Sequence, residues 1–244
     1  MPSSSDILII QCGDTPLTIE QQHGKVPDWF KHALENKPYR IEVVKPFEGE
    51  ALPDRDSFKL AIINGSSAKV TQEKNWIELT KEWVKVMMTY KKPLFGICFG
   101  HQLIADALGG RIGQESEGLE LGLHEVGLHQ DKHNDPLLNH LNAPFNSILF
   151  HEQTVLSLPK DAIALGYSKK DKHQMIRYSP HAFSVQFHPE FKPEIMKSFI
   201  KENEEDLRKQ NIDIQEVMTK LEPTLQAQQI LRNAAKQYVD QASQ

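Results

Sequence analysis

Short, uninterrupted apolar runs closed by turn-forming residues set the pattern of this chain. Ile7-Leu8-Ile9-Ile10 ends at Cys12-Gly13-Asp14, and residues 39–44 stop at Pro46. Leu60-Ala61-Ile62-Ile63 ends at Asn64-Gly65-Ser66-Ser67, and Pro93-Leu94-Phe95-Gly96-Ile97 runs straight into Cys98-Phe99-Gly100. Runs of this length between turn signals predict buried strands. Helical spacing fills the gaps. It covers residues 29–34 and a longer stretch in which Trp76, Leu79, Trp83, Val86, Met87 and Tyr90 recur every three or four positions. That stripe predicts one helix face turned to the core. A further helix is expected over residues 101–108, capped by Gly109-Gly110. Residues 120–129 alternate weakly and read as strands, as do 147–150 and 162–167. Residues 175–178 and 182–187 form a hairpin turning at Ser179-Pro180. From Pro193 the pattern is helical, with a polar tail from about residue 212.

Strands alternating with helices predict an α/β fold of three layers, a mostly parallel central sheet flanked by helices. The expected organisation is one domain over residues 5–200. A helical C-terminal extension over 201–244 is either packed on that domain or used for association, a homodimer contact being the simplest case. Ligands of such sheets sit at the carboxyl ends of the strands. Cys12, Asn64-Gly65, Cys98 and His188 all fall at or just after predicted strand ends, which directs the search for a site.

Composition narrows the function classes. A net charge of -5, with no basic stripe beyond a patch at Lys169, Lys170 and Lys172, argues against nucleic acid as a partner. There is no apolar run long enough to span a membrane, and residues 1–6 lack a secretory pattern. Cys12 and Cys98 read as free thiols in a reducing compartment, so a cytoplasmic location is expected. His124, His129 and His133 are close in sequence but match no standard zinc spacing, so they read as a solvated loop, with no metal and no cofactor expected.

Gly96-Ile97-Cys98-Phe99-Gly100 has the glycine-x-nucleophile-x-glycine form. A sharp strand-to-helix turn lifts the middle side chain above the sheet, and close packing tolerates only small residues two positions either side. The same turn sets the sulfur at a helix N-terminus, which favours a thiolate, and lets the N–H of Phe99 face an oxyanion. A thiolate attacking an amide needs an acid to protonate the departing nitrogen. Of the eleven histidines, His188 stands out: it follows the apolar Val185-Gln186-Phe187, and Glu190 lies two residues on, facing the same way along an extended segment. Cys98, His188 and Glu190 thus satisfy the logic of nucleophile, acid–base and orienting carboxylate.

Together, Phe95-Gly96-Ile97-Cys98-Phe99-Gly100-His101-Gln102 and Gln186-Phe187-His188-Pro189-Glu190-Phe191 resemble the two signature motifs of class I glutamine amidotransferases. Asn64-Gly65-Ser66-Ser67 resembles the family's glycine loop, and Phe150-His151-Glu152-Gln153 its later histidine motif. The likeness covers about residues 5–200 and is greatest for stand-alone, GMP-synthase-like members. It implies a flavodoxin-like amidotransferase fold with Cys98 as nucleophile, His188 as acid–base and Glu190 orienting it. It further implies Gly65 and Phe99 as oxyanion donors, and Gln102, Ser66, His151 and Glu152 as substrate contacts. The family's Gly-Gly-Pro and Ser-His-Gly-Asp are replaced here by Asn64-Gly65-Ser66 and Phe150-His151-Glu152-Gln153. The implied reaction is hydrolysis of the glutamine side-chain amide through a Cys98 thioester, giving glutamate and ammonia. No P-loop for ATP is present, so the ammonia would go to a separate synthetase subunit or simply be released, or the donor is not free glutamine. The alternatives are a γ-glutamyl peptide hydrolase using the same three residues and a non-catalytic regulatory domain.

Overall fold

The structure is a computed structural model and describes residues 4–129, 135–138 and 141–241. Its centre is a parallel half-sheet: β1 (Ser5–Ile10) lies between β2 (Ile41–Val44) and β3 (Phe58–Ile63), and β3 pairs with β4 (Leu94–Ile97). These strands are apolar along their whole length because both faces are covered. Ile7, Ile9, Leu60, Ile62, Phe95 and Ile97 enter one core, and Leu8, Ile10, Ala61, Ile63 and Leu94 enter the other. The first face is covered by α1 (Leu17–His23) and α2 (Val26–Ala33), through Ile19, Trp29 and Phe30. The second is covered by α3 (Asn75–Thr89) and α4 (Phe99–Ala107), through Ile77, Val84, Met87, Leu103 and Ile104. Gly109, at φ +94°, turns the chain out of α4.

Beyond α4 come β5 (Arg111–Gln114), β6 (Glu120–Leu128), β7 (Phe145–His151), β8 (Gln153–Ser157), β9 (Ile163–Tyr167), β10 (Met175–Ser179) and β11 (Ala182–Val185). The full sheet runs β2-β1-β3-β4-β11-β10-β9-β6-β7. It is mixed. β11 continues the parallel half beside β4, and the strands beyond it pair antiparallel. The expected hairpin is β10–β11. β5 and β8 form a separate antiparallel pair that the pattern did not foretell, because β5 is four residues long with a glycine and no clear alternation.

The stripe on α3 needs correction. Trp83 and Met87 are buried and Trp76 packs on Phe99 with ring centroids 5.6 Å apart, but Leu79, Val86 and Tyr90 are about half exposed. Ile77, Thr80 and Val84 take the core positions instead, so the buried face is rotated from the stripe that periodicity picked out.

The C-terminal part comprises α5 (Pro193–Glu202), α6 (Glu204–Lys209), α7 (Ile214–Lys220), α8 (Leu225–Ala235) and a π-helical turn, Lys236–Asp240. Ile230, Leu231, Ala234, Tyr238 and Val239 are buried in the first core. The Tyr238 hydroxyl donates to Pro180 O (2.8 Å) and accepts from Arg177 (3.1 Å), and Arg232 donates to Ala33 O (2.9 Å). Among the described residues, no helix is long and apolar enough to cross a membrane.

Candidate active site

Cys98 sits between β4 and α4 at φ 50°, ψ −103°, a conformation that costs a non-glycine residue energy and that the packing enforces. Its N–H donates to Val185 O of β11 (2.9 Å), and its own carbonyl accepts the first helical bond, from Gln102 N–H (3.2 Å). The flanking glycines have a steric reason. A Cβ on Gly96 would lie 2.6 Å from Gly100 O, and one on Gly100 would lie 2.0 Å from Ile63 O, both backbone atoms that cannot swing aside. Glycine at both positions is what lets β3, β4 and the first turn of α4 close around the sulfur. Cys98 is 6% exposed, and its Sγ lies 3.7 Å from Phe150 O.

Cys98 and His188 are ninety positions apart in sequence and meet because β4 and β11 are neighbours, with Ile97 opposite Val185. His188 N–H donates to Ile148 O (2.9 Å), which fixes the backbone after β11. Its Nδ1 is 2.8 Å from Glu190 Oε1, leaving Nε2 for the Cys98 sulfur that acts on the ring. Burial opposes charge on this ring, but the facing Glu190 carboxylate and Cys98 sulfur outweigh it and push His188 up to about 10. Phe191 stacks on the ring, centroids 4.2 Å apart, and holds its plane.

Gly65 completes the centre. A Cβ there would come 2.7 Å from His188 Cε1 and 3.5 Å from Cys98 Cβ, so this backbone lies directly against both side chains. The loop is anchored by Asn64, whose Oδ1 accepts from Cys12 N–H (2.8 Å). Phe99 opens α4, so its N–H has no helical carbonyl one turn back. Ser66 lines the cavity, but its hydroxyl is committed to the backbone, donating to Cys12 O (2.7 Å) and accepting from Ala68 N–H (3.0 Å).

The remaining expected contacts gather at one end. Gln102 Nε2 donates to Gln153 O (2.6 Å) and Gln186 Oε1 (3.0 Å). Glu152 pairs with Lys69 (3.1 Å) at the cavity rim. His151 turns its two nitrogens to Gln153 O (3.1 Å) and to Glu120 Oε2 (3.0 Å). Glu120 was not singled out from sequence; a lone acid at the start of a weakly alternating strand carries no signal. It is fully buried and also accepts from Ser168 (2.7 Å) and Gln174 (2.9 Å). Burial works against its charge, but hydrogen bonds from His151 and Ser168 hold the carboxyl below the usual range. Ligand atoms of Glu120, His151 and Asp171 lie within 4.8 Å of one another, but Glu120 and His151 are already committed to each other. His124 and His129 bond separately to Leu121 O and Lys172 O, and His133 lies outside the described residues.

These groups open on a cavity of about 640 Å³. Within that lining, Lys69 pairs with Glu152 and Gln102 bonds to Gln153, while Trp29, Phe191 and Phe199 form a second group of touching rings; Glu202 lies one turn along α5 from Phe199 and bonds to Thr18 of α1, the helix that Asp14 to Pro16 lead into. A second cavity, about 450 Å³ between residues 46–52 and α3, contains none of the candidate residues.

A glycine-flanked cysteine at a strand-to-helix turn, beside a histidine and its glutamate in the turn that follows the neighbouring strand, is the layout of a cysteine-type amidotransferase or amidohydrolase. The model of the Glutamine amidotransferase class-I family matches residues 23–206, and the chain belongs to that family. It is 31% identical over 163 residues to γ-glutamyl peptidase 5 of Arabidopsis thaliana, covering 65% of each chain and so less than two thirds of that relative. It is 34% identical over 131 residues to a glutamine-hydrolysing GMP synthase subunit of Methanocaldococcus jannaschii, covering 51% of this chain and 68% of that one. The fold is shared with a glutamine amidotransferase from Thermotoga maritima at a TM-score of 0.80 and 20% identity, over 97% of this chain and 99% of that structure.

Proposed function

We propose that the protein hydrolyses γ-glutamyl amides through a Cys98 thioester, and that its substrates carry an amine larger than ammonia. The observation that carries the second clause is the cavity. It continues past His188 along a wall of aromatic rings, and its 640 Å³ falls in the roughly 300–1,000 Å³ that holds drug-sized ligands. Glutamine would occupy only the part next to Cys98.

In this reading the sulfur attacks the amide carbon, and the developing oxyanion takes N–H groups from Gly65 and Phe99. His188, charged beside Glu190, gives its proton to the nitrogen, the C–N bond breaks and the amine leaves. Water then adds to the thioester, His188 takes the water's proton, and collapse expels the sulfur and yields glutamate. Glu190 holds the imidazole in register through both steps. At the γ-glutamyl end the Lys69–Glu152 pair faces the α-carboxylate and α-ammonium, and Gln102 holds the turn that presents Glu152. Glu152 thus supplies the acid that the family pattern places one residue later.

The test is to quench the enzyme in acid during turnover and search by mass spectrometry for a γ-glutamyl adduct on the peptide containing Cys98. An adduct there supports the reading, and turnover with an unmodified Cys98 and full activity in Cys98→Ala sinks it. A second reading is favoured by the likeness to one component of a GMP synthase: glutamine as substrate, with ammonia passed to a separate synthetase subunit. Both share the acyl step and differ in what occupies the far side of the cavity.

A further inference from the structure

The charge and aromatic lining beyond His188 point to a selective leaving-group site: we infer that it favours γ-glutamyl amides whose amine half carries a positive charge over those whose amine half ends in a carboxylate. This rests on the hydrolase reading above and names the substrate class of the same site.

The side on which the amine half lies follows from proton delivery. His188 must protonate the departing nitrogen, so the amine extends toward His188 and the ring stacked on it. From there the wall is continuous. Phe191 stacks on His188, Phe199 stacks on Phe191 with centroids 5.3 Å apart, and Trp29 stands edge-on to both at 5.7 and 6.1 Å. Trp29 and Phe191 are each only 5% exposed, and the Trp29 indole N–H is fixed by His23 O (3.0 Å) and Gly24 O (3.1 Å). The wall is therefore rigid, and because its rings cover one another's faces it offers an amine tail apolar contact, leaving discrimination to the charges beside it.

The His188 imidazolium is paired with Glu190, and the remaining charges on this side are carboxylates. Asp14 and Glu202 line the lobe, and among its described lining residues there is no lysine or arginine. The one lysine among the described residues of the whole lining, Lys69, is held by Glu152. Lys45 lies within electrostatic range of Asp14 but does not line the cavity. Glu202 accepts from the Thr18 hydroxyl (3.0 Å), which orients the carboxylate without neutralising it. An ammonium tail thus meets two carboxylates and an aromatic wall. A carboxylate tail meets two like charges, and the cations among the described lining residues, His188 and Lys69, are already held by Glu190 and Glu152, so the repulsion is not offset.

The experiment compares three γ-glutamyl amides of one chain length, made from diaminobutane, butylamine and aminobutyrate, so that only the tail charge changes. The expected order of kcat/KM is cation, neutral, anion, with the cation ahead of the anion by at least about tenfold at low salt. Added salt should narrow that ratio because the acids are exposed. The Asp14→Asn, Glu202→Gln double variant should bring it toward one. A wild-type ratio of one or less, or a ratio that the double variant leaves untouched, overturns the inference. Hydrolysis of glutamine but of none of the three amides overturns it while leaving the Cys98 chemistry standing. No Cys98-dependent hydrolysis of any substrate removes both.

Discussion

Gly65→Ala is the sharpest probe of the centre. Gly65 does not sit in the left-handed region, so its backbone accepts an alanine without strain. What forbids the methyl group is its neighbour: the new Cβ would lie 2.7 Å from His188 Cε1. Carbon pairs rest at about 3.5–4.0 Å. The ring must therefore retreat by about 1 Å, against a Glu190 bond of 2.8 Å and a stacked Phe191 that both resist the movement. A misplacement of about 1 Å at a reacting group costs on the order of 10²-fold in rate. The loop itself is partly exposed, so the melting temperature should change little. The assay is kcat/KM on glutamine and on a γ-glutamyl amide, with thermal denaturation in parallel. Gly113→Ala is the control, since it lies outside the cavity lining and its Cβ would meet only the Leu156 side chain, which is 42% exposed and can swing aside. Activity of Gly65→Ala within about twofold of wild type would refute the placement of His188 against this loop.

Other predictions concern the buried charges and the two thiols. His188 is pushed up to about 10 by Glu190 and Cys98 against burial, from an ordinary value of about 6.5, so the stability it contributes is full below about 6.5 and is lost as pH rises through 10. Melting temperature should fall across that window, and Glu190→Gln should flatten the fall; an unchanged slope in the variant contradicts it. Glu120→Ala leaves His151, Ser168 and Gln174 buried without their shared acceptor and should destabilise by about 1–3 kcal/mol in urea unfolding. Wild-type stability in that variant would mean the pair is idle. Cys12 is fully buried and burial pushes its thiol up, so iodoacetamide near neutral pH should modify Cys98 well before Cys12, as peptide mapping will show. Equal rates would remove the case for an activated Cys98.

The parallel half of the sheet was legible because strands covered on both faces must be apolar throughout, and Ile7 to Ile10 or Leu60 to Ile63 can hardly be anything else. The antiparallel half was legible only in pieces: β10–β11 through its Ser179-Pro180 turn, β6 through weak alternation, and β7 and β9 as short separate runs whose pairing the pattern does not give. α1 went unseen because only Ile19 of its seven residues is buried, which leaves no period to read. Within the site, local chemistry showed where a nucleophile belongs, since a strand-to-helix turn needs small residues on either side of Cys98, although the Ile63 carbonyl that Gly100 answers to comes from β3. Glu120 was invisible because its meaning comes from His151, Ser168 and Gln174, which only the tertiary fold brings to it. The charge asymmetry of the cavity was hidden for the same reason: Asp14, Trp29 and Glu202 belong to three separate elements.

The most direct test of the account is glutamate release by the purified chain from L-glutamine and from a γ-glutamyl amide with a bulky amine, with Cys98→Ala alongside. The account predicts Cys98-dependent release from both, faster from the amide with the larger amine. Release that survives Cys98→Ala, or none from either substrate, would contradict it.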